Sequence, residues 1–269
     1  MLFLVRGEIM YPYITVFNKE ITTYTLMTLI GVLVVEFLCV RKCKKYSFDD
    51  NKMIVLLLFG ALGAFIGSHL LYGLVNLPLI IQVFLHIDEI ESYQTIIEIL
   101  QVIFGGSVFY GGLYGGILAS YLYARKAKLD VKMASYIATP FIPLFHFFGR
   151  IGCFLYGCCF GIESKWGIFY LNHLFYLEPV RRFPVQLLEA GFNLVLFFLL
   201  LWLEKKGKFK NSILVLYLFV YALGRFFLEF LRGDTYRGIY FGLSTSQWIS
   251  IVTLLGCVIY YLSKRKKRV

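Results

Sequence analysis

The chain has 269 residues, of which 59% are hydrophobic and only 16% are charged, and its mean hydropathy is +0.73. A soluble domain carries about a quarter of its residues as charge, so the composition excludes a soluble fold and indicates an integral membrane protein. The formal net charge of +11 does not indicate a nucleic-acid partner, because 18 of the 27 Lys and Arg fall in four clusters (41–52, 125–132, 205–210 and 264–268), each at the end of an apolar run. That placement orients membrane helices by the positive-inside rule.

Residues 1–20 read as a short external segment. They lack a basic stretch followed by an apolar run and a small-residue cleavage site, so a removable signal peptide is not expected. A bilayer core of about 30 Å takes roughly 20 helical residues, and seven runs qualify: 21–40, 53–75, 102–124, 134–158, 187–203, 212–231 and 247–263. With the basic clusters inside, the N-terminus lies outside and the C-terminus is cytoplasmic. The expected fold is an all-α integral membrane protein of seven transmembrane helices, forming a single membrane-embedded domain over 1–269. Its two long connections lie on the outer side. Residues 78–100 mix apolar and acidic residues at helical spacing and read as an interfacial helical segment. Residues 160–185, with Trp166, read as a small outer-face cap.

Glycines four apart, Gly63 with Gly67 and Gly111 with Gly115, let helix backbones approach in lipid. The doublets in "GGSVFYGGLYGG" (105–116) are denser than packing requires and suggest a cavity or a broken helix.

Ionisable groups inside a membrane are costly and mark candidate sites. On the fourth run His146, Arg150 and Cys153 share a face, with Gly157 one turn on; on the sixth Tyr221, Arg225, Glu229 and Arg232 do so. For Arg225 and Glu229 the structural alternative is an internal ion pair, with Arg232 snorkelling to the interface. Two arginines on different helices beside one acid leave a cationic pocket suited to a phosphate, and the abundant phosphate of a membrane is a lipid headgroup.

His146, Cys153, Cys158 and Cys159 are all possible zinc ligands. On a continued helix, however, Cys158 and Cys159 would point about 100° apart, and Arg150 would bring a like charge among the ligands. No metal and no cofactor is therefore expected. The spacing leaves open a disulfide among the three cysteines.

The motifs, in order along nearly the whole chain, resemble the prolipoprotein diacylglyceryl transferases of bacterial cytoplasmic membranes. The similar pieces are "ITTYTLMTLIG" (21–31), the glycine-rich segment 105–116, "FFGRIGCFLYGCCFG" (147–161), "RRFPVQLLEA" (181–190), "LGRFFLEFLR" (223–232) and "LSTSQWISI" (243–251). The resemblance implies transfer of the diacylglyceryl group of phosphatidylglycerol to the lipobox cysteine thiol of a prolipoprotein signal peptide, with release of glycerol phosphate. It implies a multi-pass protein whose site faces the outer leaflet, with no nucleic-acid partner.

By position, the resemblance implies that Arg150 and Arg225 hold the phosphate and that Glu229 orients Arg225. Tyr24, Cys153, Gly161, Arg182, Gln186 and Arg232 would contact substrate. The sequence departs from the family pattern twice, with Cys153 in place of an Asn and Tyr110 in place of a His. The base that deprotonates the acceptor thiol is then Tyr110, His146, or neither, with the arginines stabilising both phosphate and thiolate; His146 serves equally as a helix-packing histidine. A Cys153 thioester route also stays open. The alternatives are a relative that uses the same donor for another acceptor (a surface glycan, or acyl transfer), or a non-catalytic lipid-binding or lipid-translocating protein.

Overall fold

The computed structural model describes residues 11–16, 18–85, 106–171, 177–233 and 238–266. Contacts divide the chain into two compact units, one of residues up to Lys42 and from Ser135 onward, the other of Cys43–Ala134.

The chain enters through an antiparallel ribbon, β1 (Tyr13–Val16) and β2 (Lys19–Thr22), and turns directly into α1 (Thr23–Lys45). In the Cys43–Ala134 unit, α2 (Asp50–Val75) begins where the Asp49 carboxylate accepts from the Lys52 N–H at 3.0 Å, a side-chain N-cap. Next come α3 (Leu77–Leu85) and α4 (Phe109–Lys126). The expected interfacial segment 78–100 therefore begins as a helix, and its remainder lies outside the described residues.

Helices α2 and α4 are in backbone contact: a Cβ on Gly67 would stand 2.4 Å from the Gly111 carbonyl oxygen, and one on Gly63 would stand 2.5 Å from that of Gly115. No side chain fits at either place. Helix α4 runs unbroken through the doublets, so from residue 109 on they serve close packing rather than a helix break.

Helix α5 (Val131–Ala138), within which the division between the units falls, and α6 (Phe141–Tyr156) are separated at Thr139 and Pro140. Proline lacks an N–H and disfavours helical backbone in the residue before it. The expected uninterrupted run 134–158 is thus broken near its start and ends early, at Gly157 with φ 85°. Strands β3 (Glu163–Leu171) and β4 (Leu177–Arg182) pair antiparallel within the stretch anticipated as a cap, where Trp166 is exposed. Helix α7 (Val185–Lys205) follows, then α8 (Ile213–Leu228) running into a 3-10 turn at Glu229–Leu231. A short ribbon of β5 (Ile239–Tyr240) and β6 (Leu243–Ser244) leads into α9 (Thr245–Lys266).

Among the described residues, six stretches are long and apolar enough to cross a membrane: Thr23–Lys45, Asp50–Val75, Val131–Tyr156, Val185–Lys205, Ile213–Leu231 and Thr245–Arg265. The chain is a mostly helical, multi-pass membrane protein. Of the seven expected spans, 102–124 overlaps α4, whose 18 residues include four Gly and four Tyr and are less apolar than the six. Among the described residues, three two-stranded ribbons add to the all-helical plan.

Within the larger unit, helix ends meet in two sets. At one, Lys42 of α1 pairs with Glu204 of α7 at 2.5 Å and donates to the Ile137 carbonyl at 3.0 Å, while the Tyr136 hydroxyl donates to the Glu204 carbonyl at 3.0 Å. This buried pair ties α1, α5 and α7 together beside two of the basic clusters. At the opposite ends of α1, α6, α7 and α8 lies the polar cluster described next.

Candidate active site

The cluster is built on three elements whose shared faces turn inward. Helix α6 contributes His146, Arg150 and Cys153, all buried, and α8 with its 3-10 extension contributes Tyr221, Arg225 and Glu229, followed by buried Arg232. The helical spacing read from the sequence thus places both sets on interior faces.

The residue at the centre is Glu189, in the second turn of α7. Its Oε2 lies 2.5 Å from Arg150 Nε, its Oε1 lies 2.5 Å from Arg225 Nη1, and Arg232 Nη1 stands 3.8 Å from Oε1. Arg225 Nη2 also pairs with Glu229 Oε2 at 2.5 Å, the i,i+4 pair that the spacing anticipated. Arg232 does not snorkel: it is 8% exposed, and Arg150 and Arg225 are 7% and 6% exposed. Three guanidinium groups face two carboxylates, so the cluster keeps one net positive charge in a setting where an unpaired charge is costly.

Sequence reasoning missed Glu189. It sits within "RRFPVQLLEA", and the signal was available: an acid early in an apolar span is a candidate by default.

Arg150 Nε also donates to His146 Nε2 at 3.2 Å. The accepting Nε2 carries no proton, so this ring is neutral and its lone pair is committed to Arg150. The Tyr221 ring packs 5.5 Å away.

Backbone stitching holds these elements in register. Gly161 N donates to the Phe183 carbonyl at 2.9 Å and Ile162 N to that of Leu231 at 3.0 Å, while Gly233 N donates to the Phe160 carbonyl at 3.1 Å. The segment after α6 is thereby fixed to the starts of α7 and the end of α8. A Cβ on Gly161 would stand 2.6 Å from the Phe183 oxygen and 2.7 Å from the Leu231 oxygen, so only glycine fits. Gln186, fully buried, donates from Nε2 to the Cys158 carbonyl at 2.6 Å and accepts at Oε1 from the Tyr170 hydroxyl at 3.0 Å.

The cysteines lie at the end of α6. Gly157 N donates to Phe154 O at 3.2 Å and Cys158 N to Cys153 O at 3.1 Å, which makes the helix end a Schellman motif. That motif brings the side chains at Cys153 and Cys158 together. Cys159 has φ 62°, a left-handed conformation costing a non-glycine residue about 1–3 kcal/mol. As a result the sulfur atoms of Cys153, Cys158 and Cys159 all lie within 4.8 Å of one another, and all three thiols are free. The helical geometry that would have splayed Cys158 and Cys159 does not apply, because the helix stops at Tyr156. Hydrogen bonds from Cys153 and Cys158, with attraction from Arg232 and Arg150, hold the Cys159 thiol well below its ordinary pKa; Cys158, sharing its proton with the other two thiols, is pushed up.

Three expected residues remain: Tyr24, Arg182 and Tyr110. Tyr24, 42% exposed in the first turn of α1, is within electrostatic reach of Arg150 and all three cysteines, and α1 crosses α6 where a Cβ on Gly152 would come 3.1 Å from the Tyr24 Cα. Arg182 lays its guanidinium over the Phe160 ring, 4.7 Å from the centroid. Tyr110 lies in the Cys43–Ala134 unit, buried in the first turn of α4 with its ring stacked on Tyr114 at 6.1 Å.

In this multi-pass helical protein three buried arginines therefore gather around two carboxylates at one set of helix ends. Comparison with known families gives the same class and narrows it. The family model for prolipoprotein diacylglyceryl transferase matches residues 12–263, and the chain belongs to that family. It is 33% identical over 255 residues to the phosphatidylglycerol–prolipoprotein diacylglyceryl transferase of Clostridium tetani, covering 94% of this chain and 97% of the relative. Its identity to an enzyme of that name from Clostridium perfringens is 31% over 260 residues, covering 94% and 95% of the two chains. To the one from Idiomarina loihiensis it is 31% over 228 residues, covering 82% and 78%.

Proposed function

We propose that this chain transfers the diacylglyceryl group of phosphatidylglycerol to the cysteine thiol of a prolipoprotein lipobox, releasing glycerol phosphate, at a site open to the outer leaflet of a bacterial cytoplasmic membrane. Family membership supports the reaction, and the observation that carries the site is the net positive cluster of Arg150, Arg225 and Arg232 around Glu189 and Glu229. The outward orientation is supported by the basic residues around Lys42 and Glu204, at the other ends of the same helices.

The donor's phosphodiester carries one negative charge, matching the surplus charge of the cluster. Arg150 and Arg225 contact its oxygens with planar, paired donors, and Glu189 and Glu229 fix both guanidinium planes. His146 is a positioning residue for Arg150. As the acceptor sulfur attacks the glyceryl CH2 carbon, the C–O bond to phosphorus breaks and the phosphate gains a second charge. Donors already aimed at it stabilise that charge without reorganising, which is where such sites gain most of their rate. Tyr24, with Gly161 and the exposed edge of Cys158 and Cys159, forms the side from which the peptide thiol enters; Gln186 and Arg182 hold the wall behind it.

The test uses purified protein in vesicles of phosphatidylglycerol with a lipobox peptide. A peptide mass increase of one diacylglyceryl group supports the reading. Glycerol phosphate release without lipidated peptide shows another acceptor, and lipid binding without either product shows a carrier.

A further inference from the structure

We propose that Cys153, Cys158 and Cys159 bind one zinc ion through three thiolates and present its fourth coordination position to the acceptor thiol, which the metal activates for alkylation. The inference rests on the transferase reading above and supplies what that reading lacks, a means of removing the thiol proton.

Each titratable group of the ion-pair cluster is already committed. His146 Nε2 accepts from Arg150, Glu189 pairs with Arg150 and Arg225, and Glu229 pairs with Arg225. A thiol is a weak nucleophile until it is a thiolate, and coordination to a divalent cation deprotonates it outright.

The three sulfurs are placed for this. Zinc–sulfur bonds of about 2.3 Å in a tetrahedron set sulfurs about 3.8 Å apart. Those of this turn lie within 4.8 Å of one another, so side-chain rotations alone close the difference. Their nearness is enforced by backbone: the Schellman hydrogen bond joins Cys153 to Cys158, left-handed Cys159 turns its side chain back, and Gln186 anchors the Cys158 carbonyl. Three protein ligands with an open fourth position is the arrangement of catalytic rather than structural zinc.

Access and charge agree. Cys153 is buried, whereas Cys158 and Cys159 are partly exposed beside Tyr24, so the open position faces the side of thiol entry. Zinc with three thiolates carries one negative charge, and Arg150 and Arg232 lie within electrostatic reach of Cys159. The like charge of Arg150 that argued against a metal is offset in part by Glu189, which it shares with Arg225, and the remainder is balanced by the negative charge of the three thiolates.

The step balances. The acceptor thiol binds zinc and gives its proton to solvent; the bound thiolate attacks the glyceryl carbon; the S–C bond forms as the C–O bond breaks; and glycerol phosphate leaves as the dianion beside Arg150 and Arg225. Thiol and phosphodiester monoanion thus become thioether, phosphomonoester dianion and one proton. A neutral thioether is a poor zinc ligand, so the product leaves.

Cobalt(II) is the probe, added to protein purified under reductant without oxygen, stripped of metal and carrying no histidine tag. The expected result is one cobalt per chain with an intense thiolate-to-cobalt absorption band, which shifts on adding lipobox peptide and not on adding the same peptide with serine for cysteine. Cys153→Ser, Cys158→Ser and Cys159→Ser each weaken cobalt binding by about 100-fold or more and slow transfer by about 100-fold, the scale of a lost base; Cys257→Ser changes neither. Thermal unfolding of each variant separates loss of fold from loss of ligand. Metal-free protein that lipidates the peptide at the full zinc-loaded rate overturns the inference and leaves the transferase reading intact. Absence of a thiolate band, or a Cys153–Cys158 disulfide that persists under reductant, also overturns it, and a band indifferent to the cysteine peptide overturns the acceptor role. Failure of peptide lipidation with a normal cobalt response counts against the prolipoprotein acceptor instead.

Discussion

Replacing Glu189 by Gln removes one negative charge from among three guanidinium groups while keeping the shape of the side chain. Each close pair, at an effective dielectric near 20, contributes about 4 kcal/mol of attraction, and Glu189 makes two such pairs at 2.5 Å with Arg150 and Arg225. Relaxation and water entry reduce the loss, and removing one partner of a buried pair leaves a net cost of about 3–5 kcal/mol. At about 2–4 °C per kcal/mol for a chain of this size, the unfolding midpoint falls by roughly 6–20 °C. Turnover falls further than stability predicts, because both phosphate-holding arginines lose their fixed orientation; one misaligned donor is worth about 100- to 1,000-fold in rate.

The assay pairs thermal unfolding in detergent with diacylglyceryl transfer measured well below the new midpoint. Arg232→Gln on the Glu189→Gln background returns the cluster to its original net charge, so it recovers stability without recovering turnover, since Arg150 and Arg225 stay unaligned. A folded Glu189→Gln protein working within about threefold of the parent, well under one misaligned donor's effect, would refute the organising role of Glu189.

Three further predictions concern the frame. Gly161→Ala forces a methyl against two carbonyl oxygens at 2.6 and 2.7 Å, both backbone, so it destabilises by about 1–3 kcal/mol and lowers transfer; thermal unfolding and turnover of the pure protein check this. Lys42→Met removes the cation paired with the buried Glu204 carboxylate and costs about 3–5 kcal/mol, whereas Lys42→Met with Glu204→Leu recovers most of it; a double-mutant cycle on the unfolding midpoint reads the coupling. Gln186→Leu removes the hydrogen bonds that the Cys158 carbonyl and the Tyr170 hydroxyl make to it and costs about 1–3 kcal/mol, seen as faster proteolysis of the segment after α6.

Helical periodicity made the two site faces legible in the sequence. Residues four apart must share a face, and in the structure His146 meets Arg150 and Arg225 meets Glu229. Glycine spacing likewise marked a closely packed face on α2 and another on α4, where a Cβ on Gly67 would stand 2.4 Å from the Gly111 carbonyl oxygen. What periodicity does not carry is the partner on another helix. Glu189 pairs with arginines 39 and 36 residues away in the chain, and nothing in the spacing of either arginine announces it. The cysteine trio was hidden by a local error of the same kind, treating the run 134–158 as one helix continued through Cys159. Gly157 is a stop signal of the ordinary sort, a glycine just after the last periodic residue, and reading it so places Cys158 on the return turn beside Cys153. The break at Pro140 follows from the same attention to punctuation, since a proline disfavours helix in the residue before it.

The most direct test follows both products in one reaction, with phosphatidylglycerol labelled separately in its headgroup glycerol and in its acyl chains, incubated with the pure protein and a lipobox peptide. The expected result is equal molar appearance of labelled glycerol phosphate and of peptide carrying both acyl chains through a thioether, abolished by Arg150→Ala and by Arg225→Ala. Glycerol phosphate formed with the acyl label absent from the peptide, or transfer that survives loss of either arginine, contradicts it.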